Sequence, residues 1–394
     1  MQIETYRPRV GVHWETGALA NILASLGARA PHSGKPYSEA MLLGLGGGVG
    51  AGYIHFQMHG GKLQWIFLQL RHSPKYRGEV AEEICARIGV PVEARESSSV
   101  KTAALQLEEE LDKGRPVFAT CAEAGLSHRV LPSDMLKMFV YGVGVFGIEG
   151  ETAVVDDRSA QPIRISLEEL GQARAAIPYN KNRILAFGPP KRSPALSRAL
   201  PEAIAQCARG LLSRKGLFGL HAFERWRDLL LDAKDKKGWP KAFARGPELR
   251  HALVCCFKAI EVDSLAGMRG MYADFLEEAQ DVLGERRLAD AVRRYRKLSG
   301  AWTELAEHLL PPGFPGAHET KQLLRKRRDL HAARGAEAVP EIRRIQAQLD
   351  ELRHASLELD EIQRHDLLEA VHERLTAICA AERAAAESLK AAVS

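Results

Sequence analysis

Four residues near the amino terminus, His13, Trp14, Glu15 and Thr16, stand where the segment GVHWETGALANIL turns into a helix. The start of a helix presents amides with no intrahelical partner and a partial positive charge, so it favours a thiolate or an oxyanion. A nucleophile would be useful there, although Glu15 and Thr16 are also ordinary first-turn residues. A second feature is the run GLGGGVGAGY from Gly44 to Tyr53. Glycine lets backbone amides approach a ligand and supplies left-handed turns. Gly46, Gly48 and, off register, Gly52 approximate a dinucleotide fingerprint, which needs a strand before it and a helix opening inside it. Here a helix-like piece precedes and strand-like pieces follow, with no acidic residue at the expected distance and no lysine in the P-loop position. The other reading of Gly46, Gly47, Gly48 and Tyr53 is close backbone packing around a cleft.

Further along, RPVFATCAEAGLSHR sets Cys121 at the end of an apolar strand and His128 in the loop after it. Histidines crowd the early region as His13, His32, His55, His59 and His72. On one strand His55 and His59 would face the same way but stand ~13 Å apart. One metal with Zn–N bonds of about 2 Å could not bridge them, so the spacing implies neither a metal nor another cofactor. The basic runs RRYRK (Arg293–Lys297) and RKRR (Arg325–Arg328) alternate with leucine and acidic residues, as solvated helix faces do. An acidic carrier protein could dock on them, and no nucleic-acid-binding motif accompanies them.

The elements that must position these residues fall into two parts. The chain of 394 residues is long enough for two cores, and its 45% hydrophobic and 27% charged residues are ordinary for globular domains. No stretch approaches the ~18 apolar residues of a membrane span. The first residues, MQIETYRPRV, lack the apolar run of a secretory signal. The six cysteines form neither a CxxC pair nor a disulfide framework, which together with the missing signal predicts a cytoplasmic protein with reduced, buried thiols. The net charge of +5 neither demands nor excludes an acidic partner. Up to about residue 190 the pattern is mixed: helices over Glu15–Leu26, Gly78–Ile88, Val100–Leu111 and Ser166–Ala176, strands over Ile54–Met58, Leu63–Leu70 and RPVFATC, and a hairpin through Glu149–Gly150. Three prolines in GPPKRSPALS, Gly188–Ser197, read as a linker between a domain of residues 1–190 and one of residues 191–394. Beyond it nearly everything has helical periodicity, broken at Gly238–Pro240, Gly284 and Pro311–Gly316. From Pro340, Ile342, Ile345, Leu349, Leu352 and Leu359 keep heptad spacing with Ser356 in one core slot, and Leu367, Val371, Leu375 and Ile378 follow nearer 3.6. That is a long helix or a helical hairpin, packing on its own chain or pairing with a second copy as a homodimer.

Several of these segments carry a resemblance. HWETGALANILASLG and SEAMLLGLGGGVGAGYI, then VPVEARESSSVKTAALQLEEELDKGRPVF, FVYGVGVFGIEGETAVVDD and ISLEELGQAR, resemble the N-terminal domain of the butirosin-biosynthesis acyltransferase (BtrH-type) family. GLFGLHAFERW, RGMYADFLEEA and WTELAEHLLPP are similar to the helical domain that often follows it. The resemblance implies an α+β chain: a papain-like, cysteine-peptidase-like N-terminal domain followed by an all-α domain. It also implies transfer of an acyl group from a carrier-protein thioester to an amine in natural-product biosynthesis.

The departures from the family bear on that activity. Its first-helix motif is His-Cys, with cysteine the nucleophile, and here the pair is His13-Trp14. Its histidine base opens the strand written here MFVYGVG, where the matching residue is Met138; its acidic residue is matched by Asp156, next to Asp157. Thiol acyl transfer needs a thiolate to attack and an imidazole to carry the proton, and losing the nucleophile of a comparable triad costs about six orders of magnitude in rate. An indole supplies no nucleophile, a thioether takes no proton, and Trp14 would fill the acyl channel. Two readings follow. One is a pseudo-acyltransferase that binds a small molecule or a carrier-protein-bound ligand at His13, Trp14, Glu15, Thr16, Gly46, Gly47, Gly48, Tyr53 and Asp156. The other is an enzyme with a rebuilt site, using Asp156 with Glu15, or Cys121 with His128 on a strand that approaches the cleft in a papain-like arrangement.

Overall fold

The computed structural model describes residues 2–57, 64–72, 79–131, 135–137, 139–191, 195–284, 286–354 and 359–393. In chain order the elements are α1 (Trp14–Ser25), α2 (Glu39–Leu45), β1 (Val49–Gln57), β2 (Gln64–Arg71), α3 (Glu79–Ile88), β3 (Val92–Arg95), α4 (Val100–Asp112), β4 (Val117–Ala122), β5 (Val140–Glu149), β6 (Thr152–Asp156), β7 (Ile163–Ser166), α5 (Leu167–Ala175) and β8 (Ile184–Phe187). The rest is helical: α6 (Leu196–Leu212), α7 (Leu220–Leu231), α8 (Trp239–Ala242), α9 (Gly246–Phe257), α10 (Arg269–Leu283), α11 (Ala289–Leu309), α12 (Ala317–Arg334), α13 (Val339–His354) and α14 (Glu361–Val393). The mixed α+β character expected from the sequence is therefore present, with the strands in the first half and helices after it.

The chain folds into two compact units, each built from separated stretches. Unit 1 comprises Met1–Leu42, Lys75–Leu196 and Lys326–Gln346; unit 2 comprises Leu43–Pro74, Ser197–Arg325 and Ala347–Ser394. One junction lies inside the proline-rich segment expected to be a linker. The stretch 43–74, which the sequence groups with the α/β part, sorts with the helices because β1 and β2 form their own two-stranded sheet and pack on α7 and α9. The stretch 326–346 sorts with the six-stranded sheet, where the amide of Ala160 donates to the carbonyl of Ala332 at 2.7 Å.

In unit 1 the six strands run antiparallel in the order β3-β8-β4-β5-β6-β7. Val117, Ala119 and Cys121 of β4 stand opposite Val145, Val143 and Tyr141 of β5, and pack with Leu107 and Leu111 of α4 and Leu170 of α5. Each fully buried aliphatic side chain is worth about 1.5–3 kcal/mol, so this layer holds the sheet to its helices. The local signals lie where the sequence puts them. Ser99 caps α4 by accepting from the Thr102 amide, and Ser166 caps α5 by accepting from Glu169. Gly150, at φ 61°, makes the turn where Glu149 pairs with Thr152. Leu19, Ile22 and Leu23 of α1 are buried, and α1 packs on β5 and β4.

In unit 2 the helical stripes are buried as their periods require. Leu367, Val371, Leu375 and Ile378 of α14 face inward, and α14 packs on α7 and α11 of its own chain. On α13, Ile342 and Ile345, which belong to unit 1, are buried, and Leu349 and Leu352, which belong to unit 2, are half-buried; Ser356 lies outside the described residues. All six cysteines are free, and five of them are buried. Among the described residues no helix is long and apolar enough to cross a membrane.

Candidate functional site

The start of α1 is already furnished with partners. His13 caps the helix, its Nδ1 accepting from the Glu15 amide at 3.2 Å. Glu39, the first residue of α2, accepts from the amides of Val12 and His13 at 2.8 Å each and from the Thr16 hydroxyl at 2.9 Å. A carboxylate from within the chain thus takes the amides that precede a helix N-terminus, where an external anion would otherwise be favoured. Glu15 is 1% exposed and its carboxylate accepts from the Ala81 amide on α3 at 3.3 Å. The sequence reading had no means of marking Glu39, which lies 26 residues from His13.

Trp14 opens α1, and its indole lies against the sheet. The ring stacks on Phe118 of β4 at 6.0 Å and 16°, is tilted against Tyr141 of β5 at 5.8 Å, and stands 5.2 Å from the His13 ring. The side chain at position 14 is therefore aimed at the two central strands, where it joins the apolar core. Met138 lies outside the described residues.

The two aspartates at the end of β6 have different surroundings. Asp156 is fully buried, and its carboxylate accepts from the Tyr6 hydroxyl at 2.7 Å, the Asn21 amide nitrogen at 2.8 Å and the Arg158 backbone amide at 2.9 Å. Burial outweighs these donors and raises its pKa to about 6. Asp157, also fully buried, gathers the basic groups: His128 Nε2 at 2.9 Å, Arg158 Nε at 3.4 Å, and Arg129 and His331 at 3.5 Å each, with the Tyr141 hydroxyl donating to it as well. Burial would push Asp157 up, but Arg129, the His128 hydrogen bond and Arg158 hold it well below the usual carboxylate range. Burial keeps the Tyr141 phenol protonated and takes His331 down to about 3, a neutral imidazole whose Nε2 also meets the Asp157 carbonyl at 2.9 Å. His331 comes from α12 and Arg158 from the turn after β6; neither carries a motif, and both are missed by sequence reasoning.

The pair Cys121 and His128 takes on different work from that expected of it. Cys121 is fully buried opposite Tyr141, and burial pushes its thiol far above the ordinary range, so it is not poised as a thiolate. His128 is 2% exposed and gives its Nε2 to Asp157, while its Nδ1 has no hydrogen-bond partner among the described residues.

The glycine-rich run belongs to unit 2, whereas His13–Thr16 and Asp156 belong to unit 1. Gly46 is buried. Gly47 and Gly48 have φ of 89° and 72°, and a Cβ would meet the His72 ring at 2.4 Å in one and the Tyr272 ring at 2.4 Å in the other. At Gly50 it would meet the Arg71 carbonyl at 2.4 Å. The run is thus a close-packed segment, and β1 begins inside it at Val49 rather than at Ile54. Tyr53 stacks on Trp226 at 5.8 Å and accepts from Trp239 Nε1 at 3.0 Å. His55 bonds Gln64, and His59 lies outside the described residues. The basic runs are paired with acidic residues of their own or another helix: Arg293 and Arg294 with Asp290, Arg296 with Asp274 and Glu277 of α10, Arg325 with Glu307 of α11, and Lys326 with Glu341 of α13.

Residues 13–158 match the family described as butirosin biosynthesis protein H, N-terminal, and residues 167–323 match a domain of unknown function, DUF4872. Comparison with curated proteins gives no match. The first match runs from the cap of α1 to the turn holding Asp156 and Asp157, and the second follows it directly. Residues 13–158 thus carry the BtrH-type N-terminal family domain, and DUF4872 follows it over residues 167–323.

Proposed function

We propose that the chain is a pseudo-acyltransferase of a natural-product biosynthetic pathway: it keeps a papain-like cleft and binds a small molecule or a carrier-protein-bound acyl group without thiol chemistry. The observation that carries this reading is Trp14, whose indole lies on Phe118 and Tyr141 at the helix start where the family's cysteine would stand. The antiparallel sheet with α1 against β5 and β4 supports the papain-like assignment. The paired amides of Val12 and His13 support loss of an oxyanion site, because Glu39 already uses them. Incubation with an acyl-N-acetylcysteamine thioester and an amine tests it. Intact-mass spectra free of an acyl adduct and no amide above background are expected; an adduct on the protein or amide formation at catalytic protein concentration overturns the proposal.

A rebuilt enzyme is the second reading, favoured by one observation: the His128–Asp157 contact leaves the other ring nitrogen of His128 unpaired. An imidazole oriented by a carboxylate is the arrangement of a general base. In that case the same assay yields product, and His128→Gln abolishes it.

A further inference from the structure

Between α4 and α5, in unit 1, lies a cleft of about 250 Å³. Its walls are aliphatic, with Val100, Ala104 and Leu107 from α4 and Leu167 and Leu170 from α5. Val100 is 51% exposed, so the cleft opens to solvent. Arg174 also lines it, although that residue is only 3% exposed.

The guanidinium offers five N–H donors. Those in use go to neutral backbone carbonyls: Ala103 at 3.3 and 3.4 Å and Asn182 at 2.7 Å. Among the described residues the Nε–H has no partner and no carboxylate pairs with Arg174. Arg269 is also buried, but it meets a carboxylate, Glu382. A buried cation without a counter-ion is costly, and burial alone has taken Arg174 down to about 10.

A buried, uncompensated cation at an open apolar cleft calls for an anion with an apolar tail. We infer that this cleft binds a free aliphatic monocarboxylate of about six carbons, its tail between α4 and α5 and its head on Arg174. The size follows from the volume, which at roughly 30 Å³ per water-sized atom holds about eight non-hydrogen atoms. A carboxylate fits the planar fork of the guanidinium better than a hydroxyl does. Glu108 and Glu168 line the same cleft and disfavour a second negative charge. The site is separate from the start of α1 and does not depend on whether the family reaction is retained.

The test is a ligand-observed NMR titration of the full chain with hexanoate and, in parallel, 1-hexanol. Saturable hexanoate binding with Kd below about 1 mM is expected. Hexanol should bind about tenfold or more weakly, as should hexanoate to Arg174→Met, since a charge-assisted hydrogen bond is lost in each. Ala104→Trp, at an exposed wall position, should abolish binding by filling the cleft. Absence of saturation up to about 10 mM hexanoate overturns the inference, as do equal affinities for acid and alcohol or undiminished binding in Ala104→Trp. Should Arg174→Met fail to fold by circular dichroism, the alcohol and Ala104→Trp decide it.

Discussion

Asp156 and Asp157 are chain neighbours, both fully buried, and their carboxyls are driven in opposite directions. Asp156 meets only neutral donors, so burial raises it to about 6. Asp157 sits among Arg129, Arg158, His128 and His331, and these outweigh the same burial.

For Asp156 the folded pKa lies above the unfolded value of about 3.9. Its stabilising contribution is present in full below about pH 4 and is lost as pH rises through about 6. The stability of the wild-type chain minus that of Asp156→Asn should therefore fall by about 3 kcal/mol between pH 4 and 7. Urea unfolding at both pH values measures it, and a difference that does not change with pH would refute the burial argument.

Asp157 has the opposite sign. Its folded pKa is depressed, so its contribution is present above about pH 4 and is lost as pH falls below that value. Asp157→Asn leaves the partly buried Arg129 and Arg158 with less compensation and should cost about 3–5 kcal/mol at pH 7, shrinking in acid. Equal destabilisation at pH 7 and pH 3 would mean that charge is not what this residue supplies.

Glu39→Gln keeps the shape and removes the charge that the Val12 and His13 amides share. A loss of about 1–3 kcal/mol is expected, because hydrogen bonds to a charged acceptor are the stronger kind. Guanidinium unfolding reads the loss directly. A variant as stable as the parent would show that the carboxylate is not needed at the helix start.

The correspondence of Trp14 and Met138 with a nucleophile and base is open to reconstruction. Trp14→Cys with Met138→His should label with iodoacetamide at neutral pH faster than Trp14→Cys alone, by about tenfold or more, because a neighbouring imidazole favours the thiolate. Equal rates in the two variants would show that the two positions do not face one another.

In unit 2, Arg269 and Glu382 are both fully buried and 2.7 Å apart. Arg269 also donates to the carbonyls of Gly50, Leu70 and Gly267, and Glu382 accepts from Trp302 Nε1 at 2.7 Å. Arg269→Met should cost about 3–5 kcal/mol by stranding the Glu382 charge, and adding Glu382→Gln should recover part of it. Calorimetric unfolding of the two variants distinguishes this from simple additivity.

What the sequence makes legible here is mostly local. Ser99 and Ser166 announce helix starts because a cap acts within three residues, and Gly150 announces its turn for the same reason. The stripe on α14 is legible because its period is the helix's own. Partnership over distance is not legible. The alternating patterns of β1 and β2 give no sign of whether these strands will join the main sheet, and among the described residues they form a separate two-stranded sheet. Neither of two adjacent aspartates reveals which will face His128. The same limit applies to the glycines, whose spacing resembles a ligand cradle until the Tyr272 and His72 rings occupy the room a Cβ would need.

The contact between His331 and Asp157 spans 174 positions of chain, and the stretch that supplies it, Lys326–Gln346, is the last to join unit 1. At ribosomal rates of about 5–20 residues per second, synthesis reaches that stretch roughly 7–30 s after Leu196 has been made. During that interval the nascent sheet carries Asp157 without its last imidazole, and the unit cannot close before most of the helical sequence has been translated. A fold ordered this way is exposed to chaperones and proteases for longer the slower elongation runs, so slow codons between positions 197 and 325 bear on how much of the protein matures.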